Sequence, residues 1–160
     1  MEHGTGTSTG GRAEENVAVV RDLIARFFNG HDTSIASRFF TPDLHWHGGS
    51  VGDVRGREDY AAVMDLFFTA LPDVQATEQQ LIADEDQVAA RFTVTGTHRG
   101  ALWGLEPSGE RVEWLAIMTY RFVDGRIAEQ WAAEDWVAIL RDVGALTPPW
   151  VRTGIGEPAR

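Results

Sequence analysis

The stretch RVEWLAIMTYRFVDGRIAEQWAAED, residues 111–135, decides how this chain folds. From Arg111 to Phe122, and again from Arg126 to Asp135, β-branched, aromatic and aliphatic residues alternate with polar ones, the period of a half-buried strand. Between the two runs stands Asp124-Gly125, a pair that tolerates the positive φ angles of a two-residue hairpin turn. The stretch therefore predicts two antiparallel strands. Upstream, Gln87 to His98 and Val74 to Ile82 carry the same signature, with Asp84-Glu85-Asp86 as the turn between them. Residues 100–109, which include Leu102, Trp103 and Leu105, read as a longer loop between the second and third of these four strands.

Ahead of the strands the period becomes helical. Val17, Val20, Leu23, Ile24, Phe27 and Phe28 form one apolar stripe, ended by Asn29-Gly30. Asp32, Thr33 or Ser34 can cap a short second helix carrying Ile35, Ala36, Phe39 and Phe40, which Pro42 stops. Leu44-His45-Trp46-His47 alternates like a short strand, and the run from Gly48 to Asp53 is turn chemistry. Tyr60, Val63, Met64, Phe67 and Leu71 describe a third helix closed by Pro72-Asp73. A last helix holds Val137, Leu140 and Val143 before Gly144. Helices gathered first and antiparallel strands after them predict an α+β domain with a curved sheet wrapped round the helices. The domain is expected over residues 14–147, with a flexible N-terminal segment at 1–13 and a tail at 148–160.

Composition narrows the function. A chain of 160 residues suits one domain. Its 24 acidic against 14 basic residues give a formal charge of −10, which repels phosphate backbones and anionic headgroups, so neither nucleic acid nor membrane is an expected partner. The absence of cysteine excludes thiolate catalysis, disulfides and cysteine-bound metal centres. Met1 to Arg12 has no apolar stretch resembling a signal peptide, and the cytoplasm is the expected location. Six Trp and eight Phe residues suit an aromatic-lined pocket for a small apolar substrate.

Several residues could carry chemistry. Alternation along the last strand puts Glu129, Trp131, Ala133 and Asp135 on one face and Gln130, Ala132, Glu134 and Trp136 on the other. If the first face meets the helices, Asp135 sits beside the Trp131 indole in an apolar cavity, where desolvation tunes it as an acid/base. Otherwise Asp135 caps the last helix. His45 and His47 share one face of the short strand, with Trp46 on the other, and could chelate a metal only if His98, Glu113 or another ligand converged on them. His-x-His alone is a weak signal, so no stoichiometric metal and no cofactor are expected. Arg91 could anchor a substrate carbonyl or lie exposed, and its parity is opposite to that of His98.

The segment Gly96-Thr97-His98-Arg99-Gly100, continued by Trp103-Gly104-Leu105-Glu106-Pro107-Ser108-Gly109, resembles the SnoaL-like polyketide cyclases of the nuclear-transport-factor-like superfamily. Leu71-Pro72-Asp73-Val74 and Asp124 through Asp135 agree with the same family, so the likeness covers most of Glu14 to Ala145. It implies a cone-shaped α+β barrel, a dimer formed through the outer sheet face, and a deep pocket between sheet and helices. It also implies cofactor-free aldol ring closure, with an aspartate at the end of the final strand as acid/base. Asp135 matches that position, and His47 and His98 resemble pocket positions. The expected site is thus Asp135, His47 and His98 for catalysis, with His45, Trp46, Arg91, Trp103, Glu113 and Trp131 against an aromatic polyketide. A cofactor-free hydrolase or hydroxylase and a non-catalytic binding module are the alternatives on one scaffold. The arginine between two aspartates found in the superfamily's epoxide hydrolases is only half present, because Thr93 stands two residues after Arg91.

Overall fold

In the computed structural model, which describes residues 9–150, the apolar stripes of the helices and one face of the sheet share a single core. Helix α1 (Thr9–Asp22) begins ahead of Glu14 and runs into a π-helical turn, Leu23–Phe28, in which Asn29 N–H donates to the Ile24 carbonyl. That wider turn aims Leu23, Ile24, Phe27 and Phe28 at the interior together. A 3₁₀ turn (Thr33–Ile35), capped by Asp32, leads into α2 (Ala36–Phe39). Strand β1 (Phe40–His47), strand β2 (Asp53–Arg55) and helix α3 (Arg57–Ala70) follow. Strands β3 (Gln75–Ala83), β4 (Gln87–Thr97), β5 (Arg111–Val123) and β6 (Arg126–Glu134) then precede α4 (Trp136–Asp142). The segment at 1–8 and the tail beyond Trp150 lie outside the described residues.

The six strands lie in the order β2-β1-β6-β5-β4-β3. The sheet is α+β in its setting, as expected, but it is mixed and open, not an all-antiparallel barrel. β1 reaches β6 through helices instead of a hairpin and lies parallel to it, whereas every other pair is antiparallel. β2, which the sequence did not signal, starts at Asp53, the last residue of the run expected to be turn, and pairs three residues with β1. Asp124 and Gly125 take φ angles of 50° and 74°, the pair of left-handed residues that a tight β5–β6 hairpin requires.

One irregularity sets the direction of every side chain at the end of β6. Phe122 pairs with Ile127, but the next residue back along β5, Arg121, pairs with Glu129. Ala128 is the extra residue of a bulge, and it reverses the parity of the strand. Ile127 is fully buried, and beyond the bulge the inward residues are Gln130, Ala132 and Glu134. Glu129, Trp131, Ala133 and Asp135 consequently turn outward.

The Gly-Thr-His-x-Gly segment is structural. Asp73, from the Pro-Asp step after α3, accepts from both the Thr97 N–H and the Thr97 hydroxyl at 2.7 Å. The N–H groups of Arg99 and Gly100 donate to the Ala70 carbonyl, so the end of β4 docks on the C-terminus of α3. A Cβ at residue 100 would stand 2.7 Å from the Thr69 carbonyl oxygen, a contact only glycine avoids.

Candidate active site

Between the helices and the inner face of the sheet lies a cavity of about 50 Å³. The π-helical turn supplies one wall, α3 gives Tyr60, Met64 and Phe67, and the strands give Trp46, Phe92, Ala116, Met118 and Tyr120. Trp103 forms part of the mouth; it is 48% exposed, takes a φ of 43°, and packs against Phe67 and Trp136. The wall is apolar apart from Tyr60, Tyr120, Gln130 and Glu134. A space of this volume holds a few waters, so a ring-sized ligand requires a wall to move. Trp103, carried on a loop, is the most exposed side chain of the lining.

Glu134 is the chemically distinctive residue. Its carboxyl projects from the last residue of β6 into this apolar space, and burial pushes it up to about 7, partly offset by the nearby Trp114 indole. Near neutral pH both protonation states are populated, the condition for efficient proton transfer. Burial raises Tyr60 and Tyr120 above the usual phenol range, and the Glu134 charge adds to both shifts, so both stay protonated as O–H donors. Gln130 lies within reach of the Tyr60 hydroxyl; its amide nitrogen meets Met118 Sδ at 3.6 Å and its carbonyl oxygen has no protein partner. A buried acceptor without a partner beside two phenols suits a polar ligand atom or a water.

The expected site residues are dispersed. Asp135 is exposed and accepts the Ala138 N–H at 3.0 Å as the N-cap of α4, so the bulge at Ala128 turns it away from the cavity. Trp131 faces outward for the same reason. Arg91 and Glu113 also lie on the outer, exposed side, and the Glu113 N–H reaches Asp142. His98 is fully buried away from the cavity lining. Its Nδ1 accepts the Ser108 N–H at 3.2 Å, its backbone bonds Gly109 and Glu110, and its Nε2 has no partner. It therefore fastens the ends of the 99–110 loop. Trp46 and Trp103 alone of the expected residues line the cavity.

His45 and His47 project from the face of β1 opposite Trp46, and carboxylates do converge on them. These are Asp53 of β2 and Glu129 of β6, not His98 or Glu113. Glu134, Tyr60, Tyr120 and Gln130 were not among the expected site residues. Tyr60 was visible only as part of a helical stripe, and Glu134 only as a member of the other strand face.

The comparisons agree with the fold. A family model described as SnoaL-like polyketide cyclase matches residues 18–143. AclR of Streptomyces galilaeus, named as a candidate hydroxylase, is 31% identical with a TM-score of 0.76, over 89% of this chain and 94% of that one. IdmH of Streptomyces antibioticus, named as a candidate polyketide cyclase, is 30% identical with a TM-score of 0.71, over 81% of this chain and 98% of that one. A SnoaL-like protein of Jannaschia sp. CCS1 shares the fold at 21% identity, with a TM-score of 0.81 over 89% of this chain and all of that one. No curated protein matches the chain. Among the described residues no helix is long and apolar enough to cross a membrane.

Proposed function

Because this chain belongs to the SnoaL-like polyketide cyclase family, we propose that it closes a ring in an aromatic polyketide or related poly-carbonyl substrate by intramolecular aldol addition, with Glu134 as the acid/base. The observation that carries this reading is a titratable carboxyl, poised at about 7, in an apolar cavity beside two phenol donors. Ionised Glu134 takes a proton from a carbon flanked by carbonyls. The Tyr60 hydroxyl, with Tyr120 behind it, donates to the enolate oxygen as charge develops there. The enolate carbon then attacks a second carbonyl of the same molecule, one C–C bond forms, and Glu134 returns the proton to the new alkoxide. Substrate and product are isomers. Conjugated carbonyls delocalise the carbanion themselves, so the step asks for no cofactor.

The test is incubation of the purified chain with candidate poly-β-carbonyl aromatics, followed by mass and connectivity analysis of the product. Cyclisation yields an isomer with a new C–C bond, or its dehydrated form. A product that gains water identifies a hydrolase. One that gains an oxygen atom identifies a hydroxylase, the reading favoured by the likeness to AclR. Unchanged ligand identifies a binding module.

We further propose that the chain works as a homodimer. Leu115 and Ile117 of β5 and Trp131 of β6 stand 39–45% exposed on the outer sheet face, an apolar surface that a second copy would cover. Light scattering at micromolar concentration is expected to give twice the chain mass; a monomer mass would contradict it.

A further inference from the structure

On the outer face of the sheet, opposite the cavity, three strands bring two imidazoles and two carboxylates together. Asp53 Oδ2 lies 3.1 Å from His45 Nε2 and 3.3 Å from His47 Nδ1. Glu129 Oε1 lies 3.4 Å from His47 Nε2 and 4.0 Å from His45 Nδ1. The imidazole centroids are 3.7 Å apart. Each ring thus presents one nitrogen to each carboxylate. A neutral imidazole carries a single N–H, so the four approaches contain at most two hydrogen bonds. The remaining two set a nitrogen lone pair against a carboxylate oxygen, an arrangement that a cation converts from repulsive to binding.

We propose that His45 Nε2, His47 Nδ1 and Asp53 hold a divalent borderline metal ion, zinc by preference, with water completing the coordination and Glu129 behind it. The two approaches on the Asp53 side match the edge of a tetrahedron with ligand bonds of about 2.0–2.1 Å, which is roughly 3.3 Å. Two nitrogens and one oxygen suit zinc and its neighbours over magnesium or calcium, which take oxygen alone. On the other side, His47 Nε2–H faces Glu129 at 3.4 Å, the carboxylate–histidine–metal relay that fixes ring orientation, while His45 Nδ1 stands 4.0 Å from the same oxygen, too far for a hydrogen bond. The surroundings are already set. Arg121 Nε holds the other Glu129 oxygen at 2.6 Å, and the Trp131 ring stacks on His47 at 4.9 Å, nearly parallel. Both imidazoles are partly buried, whereas Asp53 is 54% exposed, so an ion enters from solvent on that side. Because Asp53 sits on the three-residue edge strand β2, the ion ties that edge to β1 and β6. Gln130 and Trp46 point to the opposite face, so the ion supplies nothing to the cavity.

The experiment is titration of the untagged, chelator-treated full chain with zinc chloride by calorimetry, together with the thermal midpoint in the presence and absence of zinc. The expected result is one saturable site per chain at micromolar or lower dissociation constant, with a midpoint several degrees higher when loaded. His47→Asn and Asp53→Asn should each weaken binding by at least 100-fold, and Glu129→Gln by about 10- to 100-fold. Circular dichroism of each metal-free variant confirms folding, and exposed Asp53 gives a variant that leaves the core untouched. Glu134→Gln should bind zinc as the wild type does, which separates this site from the proposed reaction. Absence of saturable binding, or binding that His47→Asn and Asp53→Asn leave unchanged, would overturn the assignment.

Discussion

Glu134→Gln is expected to lower kcat by about 10² to 10⁴ while making the protein more stable at pH 8. The first effect follows from removing the titrating group and keeping its shape; binding by the apolar walls should leave KM within a few-fold. The second follows from linkage. The Glu134 carboxyl is raised from its ordinary 4.5 to about 7, so the folded state holds this proton more tightly than the unfolded chain does. That contribution is fully present below pH 4.5 and is lost as pH rises through 7, leaving an ionised carboxylate that is costly to bury. The shift corresponds to an upper limit of about 3 kcal/mol, and each kcal/mol moves the midpoint of a domain this size by ~2–4 °C. The glutamine variant escapes the penalty, so its midpoint should exceed that of the wild type at pH 8 and match it near pH 4. Asp135→Asn is the control. Asparagine caps a helix nearly as well as aspartate, so turnover and stability should both stay close to wild type. If Asp135→Asn lost turnover and Glu134→Gln did not, the assignment would be reversed.

Tyr60→Phe should reduce kcat by about 10²-fold, the usual cost of removing one donor aimed at a developing oxyanion. The phenol is buried among Phe27, Phe40 and Trp46, so the ring packing survives loss of the oxygen. KM should change little, since the hydrogen bond strengthens only as the enolate forms. A variant with wild-type kcat would mean that substrate oxygens are stabilised elsewhere in the cavity.

Most of the architecture was legible because it rests on period. The four long strands, the Asp-Gly hairpin and the three amphipathic helices are written in alternations of two and of three to four residues; the strands appear within a residue or two of their expected places, whereas α1 starts at Thr9, inside the segment expected to be flexible, and α3 starts at Arg57, ahead of its apolar stripe. Short and irregular features were not. β2 has three residues and no pattern of its own, and the parallel pairing of β1 with β6 depends on tertiary packing. Which of its two expected settings Asp135 takes, cavity or helix cap, turns on one local feature. Ile127 is buried at the start of β6, and unbroken alternation from it would put Asp135 in the cavity. The bulge at Ala128 exchanges the faces, and no residue type there announces it. The carboxylates around His45 and His47 are not legible in the sequence because Asp53 and Glu129 are brought to them only by the register of three strands.

The central claim is that the cavity contains a carboxyl with an elevated proton affinity at Glu134. It can be tested without a substrate by following side-chain carboxyl carbon signals with pH by NMR, the Glu134 resonance being assigned by its loss in Glu134→Gln. A midpoint near 7 is predicted; a midpoint near the ordinary 4.5 would contradict the account.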